Sequence, residues 1–265
     1  MENIVSIRNL SVGFNSHNKK NNVVHSISFD IPKGKTVALV GESGSGKTVT
    51  ALSILKLLPY PSAFHSSGQI IYNNQNLLDI SNSQIQKIRG KKITTIFQEP
   101  MSSLNPLHTI EKQINEILTN HSRISYVEAS KRTKELLKQV GLEDISKRIK
   151  SYSYELSGGQ RQRVMIAMGI ANSPDLLIAD EPTTALDVTV QIQILKLIKS
   201  LQKKLNMAVL FISHDLNVIK HLADTICIMK DGKIIENNTK DNIFNNPQHE
   251  YTKKLINFKN IKKEK

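Results

Sequence analysis

The sequence predicts an α/β fold, with a mostly parallel sheet as its core and a helical insertion between about residues 99 and 170. Three observations carry this. "TVALV", "GESGSGKT" and "VTALSILKLL" follow one another as strand, glycine-rich loop and helix, from Thr36 to Leu58. Downstream, "DLLIAD", "VTVQIQILKLIKSL" and "AVLFIS" repeat the order strand, helix, strand, and that alternation implies a parallel sheet. Residues from about 109 to 172 carry apolar side chains at three- and four-residue spacing, the period of a helix.

The elements follow in order. "IVSIRNL" from Ile4, "VHSISFDI" from Val24 and "TVALVG" from Thr36 alternate as strands do. The lysine- and asparagine-rich "NSHNKKNN", Asn15 to Asn22, reads as a loop between the first two. "GQIIYNNQNLL" reads as a hairpin turning at Asn73–Asn74, because asparagine tolerates the left-handed backbone that a two-residue turn needs. "KITTIF" is a short buried strand that runs up to Gln98. "TIEKQINEIL" and "YVEASKRTKELLKQV" are amphipathic helices of the insertion. Asp231–Gly232, within "TICIMKDGKIIE", predicts a closing hairpin.

At 265 residues the chain suffices for one large domain, or for a domain with a subdomain. Its longest apolar runs, such as "MAVLFI" at Met207–Ile212, fall far short of the roughly 18 residues of a membrane helix. The N-terminus has neither the basic start nor the apolar stretch of a signal peptide. The one cysteine, Cys227, excludes an internal disulfide or a thiolate metal cluster, sits in an apolar run and is expected in the core. A reducing cytoplasm is the expected setting. The formal net charge of +13 is spread along the chain, with a denser cluster in "KKLINFKNIKKEK". It reads as a solvated surface first and as proximity to an anionic membrane face second; no nucleic-acid partner is expected.

"GESGSGKT" matches G-x-x-x-x-G-K-[ST] in the strand–loop–helix context that motif requires. Gly41, Gly44 and Gly46 let the backbone bend, so that the N–H groups of Gly41, Glu42, Ser43, Gly44, Ser45, Gly46, Lys47 and Thr48 can cradle phosphates. Lys47 brings a point charge to the β/γ-phosphates, and Thr48 offers a hydroxyl to Mg²⁺. "LLIADEP" runs four apolar residues into Asp180, a carboxylate placed at a strand end to hold Mg²⁺ through water. Glu181 points differently and is the candidate base for the attacking water. His214, after "LFIS", is a candidate donor to a γ-phosphate, and Gln98 a candidate ligand of Mg²⁺ or positioner of water.

The later stretch "ELSGGQRQRV" has a different character. Ser157 and Gln160 stand at the capping-box spacing before the helical run "RQRVMIAMGIA", and Gly158–Gly159 fall in its first turn. Gly costs about 1 kcal/mol against Ala in a helix interior, so a bare backbone there needs a reason. An anion approaching the helix start is one, and the nucleotide cradled at Gly41–Thr48 already has its donors.

In this order and spacing, "GESGSGKT", Gln98, "LSGGQ", "LLIADEP", "TTALD" and "ISHD" resemble the nucleotide-binding subunit of an ABC transporter, over about residues 1 to 255. The resemblance implies a P-loop NTPase cassette with an N-terminal antiparallel β subdomain. It implies ATP and Mg²⁺, and a head-to-tail dimer with a paralogous or identical ATPase subunit. Each ATP is then held by one subunit's P-loop and by the partner's Ser157, Gly158, Gly159 and Gln160. Phe14, in "LSVGF", corresponds to the aromatic that stacks on adenine, and Asp187 belongs to the loop that communicates across the dimer. The cassette is expected to comprise an ATPase core at about 1–98 and 171–236, a helical subdomain at about 99–170 and a tail at 237–265.

"FQEPMSSLNPLHTI" and "IFNNPQHEYTKKLI" are similar to the peptide and nickel importers of the family, although Glu250 stands where that group usually has proline. The chain's length leans slightly toward the nickel or metal-chelate members, with shortened peptide-type subunits an equal alternative. Two membrane-spanning permease subunits and an external solute-binding protein are then implied as partners, at the cytoplasmic face of the membrane. "EPMSSLNPLHT" would border the groove that receives a short helix of the permease. The alternative is a non-transport ATPase of the family, serving DNA repair, chromosome structure or translation. Those carry a long coiled coil, zinc-binding cysteines or a second cassette, none of which this sequence shows.

Overall fold

The computed structural model describes residues 2–16, 19–97, 103–122, 124–184 and 186–260. The chain forms two compact units, Met1–Ile85 with Ala208–Lys265, and Gln86–Met207.

The first unit holds an antiparallel sheet built on β1 (Asn3–Ser16), β2 (Lys19–Pro32), β4 (Ala63–Tyr72) and β5 (Gln75–Asn76), in the order β2-β1-β4-β5. The alternation read from the sequence points Val5, Ile7, Leu10 and Val12 inward against Ile27, Phe29 and Ile31, all at most 3% exposed. Each such side chain contributes about 1.5–3 kcal/mol by leaving water. Asn73 and Asn74 both take positive φ, 48° and 60°, as a two-residue hairpin turn requires.

One expectation fails here. In "NSHNKKNN", Asn15 pairs with Lys20 and Ser16 with Lys19, so the described part of the stretch is ladder and not loop, His17 and Asn18 lying outside the described residues. Asn15 and Lys19 to Asn22 are exposed, and a ribbon wetted on both faces has no reason to show the apolar alternation by which strands are recognised.

The same unit holds β3 (Thr36–Val40), flanked in parallel by β8 (Ala208–Ser213) and β9 (Thr225–Lys230). All residues of β3 and β8 are buried, which explains their unbroken apolar sequence. β10 (Lys233–Thr239) returns antiparallel to β9 across Asp231 and Gly232, at φ 47° and 74°. Cys227 lies in β9, fully buried, and burial pushes its thiol pKa to about 12, the nearby Asp30 carboxylate adding to the rise. α1 (Lys47–Ile54) follows β3, α8 (Leu216–Lys220) follows β8, and two further helices, α9 (Lys240–Asn245) and α10 (Glu250–Asn260), end the unit.

The second unit pairs β6 (Ile93–Ile96) in parallel with β7 (Leu176–Asp180). Its helices are α3 (Ile110–Ser122), α4 (Tyr126–Gln139), α5 (Glu143–Lys147), α6 (Gly158–Ile170) and α7 (Val188–Leu205), with α2 (Asn82–Ile88) spanning the boundary. Ile110, Ile114, Leu136, Leu137, Val164 and Ile166 form the interior of the helical part, each at 0% exposure. A buried Thr133 hydroxyl donating to Asn115 Oδ1 at 2.6 Å ties α4 to α3. Among the described residues, no helix is long and apolar enough to cross a membrane.

Candidate functional site

In the first unit, the register fixes which chain ends meet. Val40 pairs with Ser213 in β8 and with Ile228 in β9, so the loop at Gly41 and His214 leave the sheet at the same end, beside Met229 of β9. This is the carboxyl end of parallel strands, where ligands bind in open α/β sheets.

The loop's shape is fixed by glycine at two positions. A Cβ at Gly41 would stand 2.1 Å from the Met229 carbonyl oxygen. Gly46 caps α1 at φ 99°, and a Cβ there would meet Met229 Cε at 2.8 Å. The Gly232 N–H donates to the Ser45 carbonyl at 3.2 Å, so the β9–β10 hairpin holds the loop from beneath. Lys47 is 5% exposed, and its Nζ donates to the carbonyls of Gly41 and Glu42 at 2.8 Å each, and to Ser45 Oγ at 3.4 Å. The ammonium is thus folded back on a loop whose outer residues Glu42, Ser43, Gly44 and Thr48 are exposed. That cradle fits a polyphosphate: a cation at its centre, bare backbone around it and a helix N-terminus behind. His214 is exposed next to it in the sheet register. Phe14 is half-buried in β1, paired with Asn21 and Ala63.

In the second unit, Asp180 ends β7 and is 5% exposed. Glu181, the next residue, takes the left-handed backbone at φ 46°, uncommon for a residue with a side chain, and this turns it away from the strand's alternation. Its carboxylate accepts from the Thr184 hydroxyl at 3.1 Å, a partner the sequence reading did not foresee. Thr48, an exposed residue of the first unit, and Asp180, at the end of β7 in the second, each carry a hard oxygen donor of the type Mg²⁺ takes. Gln98, assigned to the same chemistry, lies outside the described residues.

The signature stretch forms the capping box expected of it. Ser157 Oγ accepts from the Gln160 N–H at 3.3 Å, and Gln160 Oε1 from the Ser157 N–H at 2.9 Å. The two glycines then part company. A Cβ on Gly159 would stand 2.8 Å from Val190 Cγ1, so packing against α7 alone accounts for that glycine. A Cβ on Gly158 would meet only Leu186 Cδ2 at 3.6 Å, an ordinary contact. Gly158 is exposed, and among the described residues no contact requires its side chain to be missing. Asp187 N-caps α7, its Oδ1 accepting from the Val190 N–H at 2.9 Å. The signature turn and the Asp187 loop therefore share one end of this unit.

The segment after Phe97 is partly outside the described residues, Met101 included. Leu104 is 2% exposed and belongs to the core, whereas Phe97 and Leu107 are 45% and 82% exposed. Beside Phe97 lies a cavity of about 220 Å³, lined by Thr94, Ile96, Ile117, Met165 and Met168.

Comparison with known proteins gives three findings. The sequence profile of the ABC transporter family matches residues 24–184. The peptidoglycan transport ATP-binding protein YejF of Agrobacterium fabrum is 56% identical over 96% of this chain and 46% of its own length. The oligopeptide transport ATP-binding protein OppD of Bacillus subtilis is 46% identical over 96% of this chain and 71% of its own. This chain thus spans about half the length of the first relative. Among solved structures, the ATP-binding cassette MJ0796, dimeric in a post-hydrolysis state with ADP and Pi, superposes at TM-score 0.78 and 30% identity, covering 89% of this chain and 98% of that one.

Proposed function

The chain belongs to the ABC transporter family, and from that membership we propose that it is the ATP-binding and ATP-hydrolysing subunit of an importer of peptides. The observation that carries the ATPase reading is the loop at Gly41–Thr48, shaped by Met229 and Gly232 and closed around the buried Lys47. Relatives named for oligopeptides and peptidoglycan favour a peptide-like cargo.

The roles divide by chemistry. Lys47 leaves the loop carbonyls for the β/γ-phosphates, and the N–H groups from Ser43 to Thr48 hold the phosphate oxygens. His214 donates to the γ-phosphate, and Phe14 stacks on adenine. Bound Mg²⁺ neutralises charge developing on the phosphates; Thr48, Asp180 and Gln98 are the residues to hold it. Glu181, kept in place by Thr184, takes the proton of the attacking water. Gly158 and its neighbours serve the nucleotide of a second ATPase subunit, in a head-to-tail pair supported by the dimeric cassette MJ0796. Two permease subunits, with an external solute-binding protein, complete the machine and hold this chain at the cytoplasmic face. The exposed Phe97 and Leu107 and the cavity beside them suit apolar side chains of a permease helix.

Glu181→Gln tests the assignment. It keeps the Thr184 hydrogen bond but removes the base. Hydrolysis should fall by about 10²–10⁴-fold, nucleotide binding should persist, and an ATP-bound dimer should accumulate on gel filtration. Hydrolysis at the wild-type rate would place the base elsewhere.

A further inference from the structure

The end of the chain makes a contact on the phosphate loop that no motif predicts. Tyr251, in "NPQHEYTKK", lies 209 positions from Glu42, yet the Glu42 N–H donates to its hydroxyl oxygen at 3.3 Å. The side chain is 8% exposed, and Lys230 Nζ sits over its ring, 5.1 Å from the centroid. The turn into α10 is itself fixed. Glu236 of β10 accepts from the N–H groups of Gln248 at 2.9 Å and His249 at 3.1 Å. The β9–β10 hairpin that carries this turn also supports the loop, through Met229 beneath Gly41 and Gly232 on Ser45. Burial raises the Tyr251 phenol pKa, against the pull of the Glu42 N–H, and the Glu42 and Asp231 carboxylates add to the rise. The hydroxyl therefore stays protonated at neutral pH.

The Glu42 peptide is held on both sides. Its N–H meets Tyr251, and its carbonyl accepts from Lys47 Nζ at 2.8 Å and from the Ser45 N–H at 3.2 Å. Once Lys47 turns to a phosphate, the carbonyl loses its ionic partner, and Tyr251 keeps the hold on the N–H side. We propose that Tyr251 is a positioning residue for nucleotide: its hydroxyl fixes the Glu42 peptide, so the phosphate-binding N–H groups beyond it are set before ATP arrives. The inference rests on the ATP-binding reading above. A loop that must be ordered on binding weakens affinity, not turnover at saturation.

Tyr251→Phe removes the hydroxyl and leaves the ring under Lys230. MgATP affinity, KM, kcat and the melting midpoint are to be measured on the full chain as wild type, Tyr251→Phe and Tyr251→Ala. The Phe variant should raise KM and Kd for ATP by about 3–10-fold, the effect of one neutral hydrogen bond, with kcat and melting unchanged. The Ala variant should raise Kd at least as much. Wild-type affinity in either variant, or a fall in kcat with KM unchanged, overturns the proposal. Absence of nucleotide binding by the wild type overturns the ATP-binding reading itself, whereas wild-type binding with an unaffected Phe variant defeats this inference alone.

Discussion

Adding one methyl at each glycine of the signature separates what the fold needs from what a partner needs. At Gly159 the new Cβ meets Val190 Cγ1 at 2.8 Å, and the β-branched valine cannot swing clear. Overpacking costs about 1–3 kcal/mol, and the gain in helix propensity returns at most about 1 kcal/mol. Gly159→Ala should therefore lose up to about 2 kcal/mol, roughly 4–8 °C in melting midpoint for a chain of this size. At Gly158 the methyl finds only Leu186 Cδ2 at 3.6 Å, so Gly158→Ala should melt at the wild-type temperature or slightly above. Its ATPase rate should nonetheless fall by about 10²-fold, because a methyl on the first turn displaces the partner's phosphate by about 1 Å. Differential scanning calorimetry with a phosphate-release assay reads both. Full ATPase activity in a stably folded Gly158→Ala would refute the role given to this bare backbone.

Two further expectations follow from the surface and the chain end. Leu107→Glu, at an 82% exposed site, should leave ATP binding intact but abolish co-purification with the permease subunits; normal assembly would make this segment a plain loop. Burial raises the pKa of Glu236, but the Gln248 N–H, the Thr252 hydroxyl, and the N–H and charge of His249 together outweigh it and hold the carboxylate below its ordinary 4.5. A depressed folded pKa gives stability that is present above 4.5 and lost as pH falls through the folded value. The hydrogen-exchange protection of residues 248–257, taken relative to the intrinsic rate at each pH, should therefore fall at acid pH in wild type, and be low already at neutral pH in Glu236→Gln. Equal protection at both pH values would contradict it.

The parallel strands were legible because burial on both faces writes an apolar run. Both hairpins were legible because Asn73–Asn74 and Asp231–Gly232 are residue pairs suited to positive φ. The capping box at Ser157 was legible from spacing alone. What escaped depended on distance in the chain or on polarity. Asn15 and Lys19 to Asn22 read as loop residues because all of them are exposed, on either face of the ladder. Leu104 and Leu107 look alike in sequence, and only packing tells core from surface. Gly159 invited the same explanation as Gly158 until Val190 was seen against it. Tyr251 carries no local signal of its partner at Glu42.

Nucleotide binding is assigned above all to the loop that encloses Lys47. Isothermal titration of the purified chain with MgATP should show binding to wild type. Lys47→Ala should weaken it by about 10²-fold, as the ammonium inside the cradle is removed. Both proteins should still melt in one cooperative transition, so that what is lost is the site and not the fold. Equal affinity for ATP in wild type and Lys47→Ala would contradict the assignment of this loop as the nucleotide site.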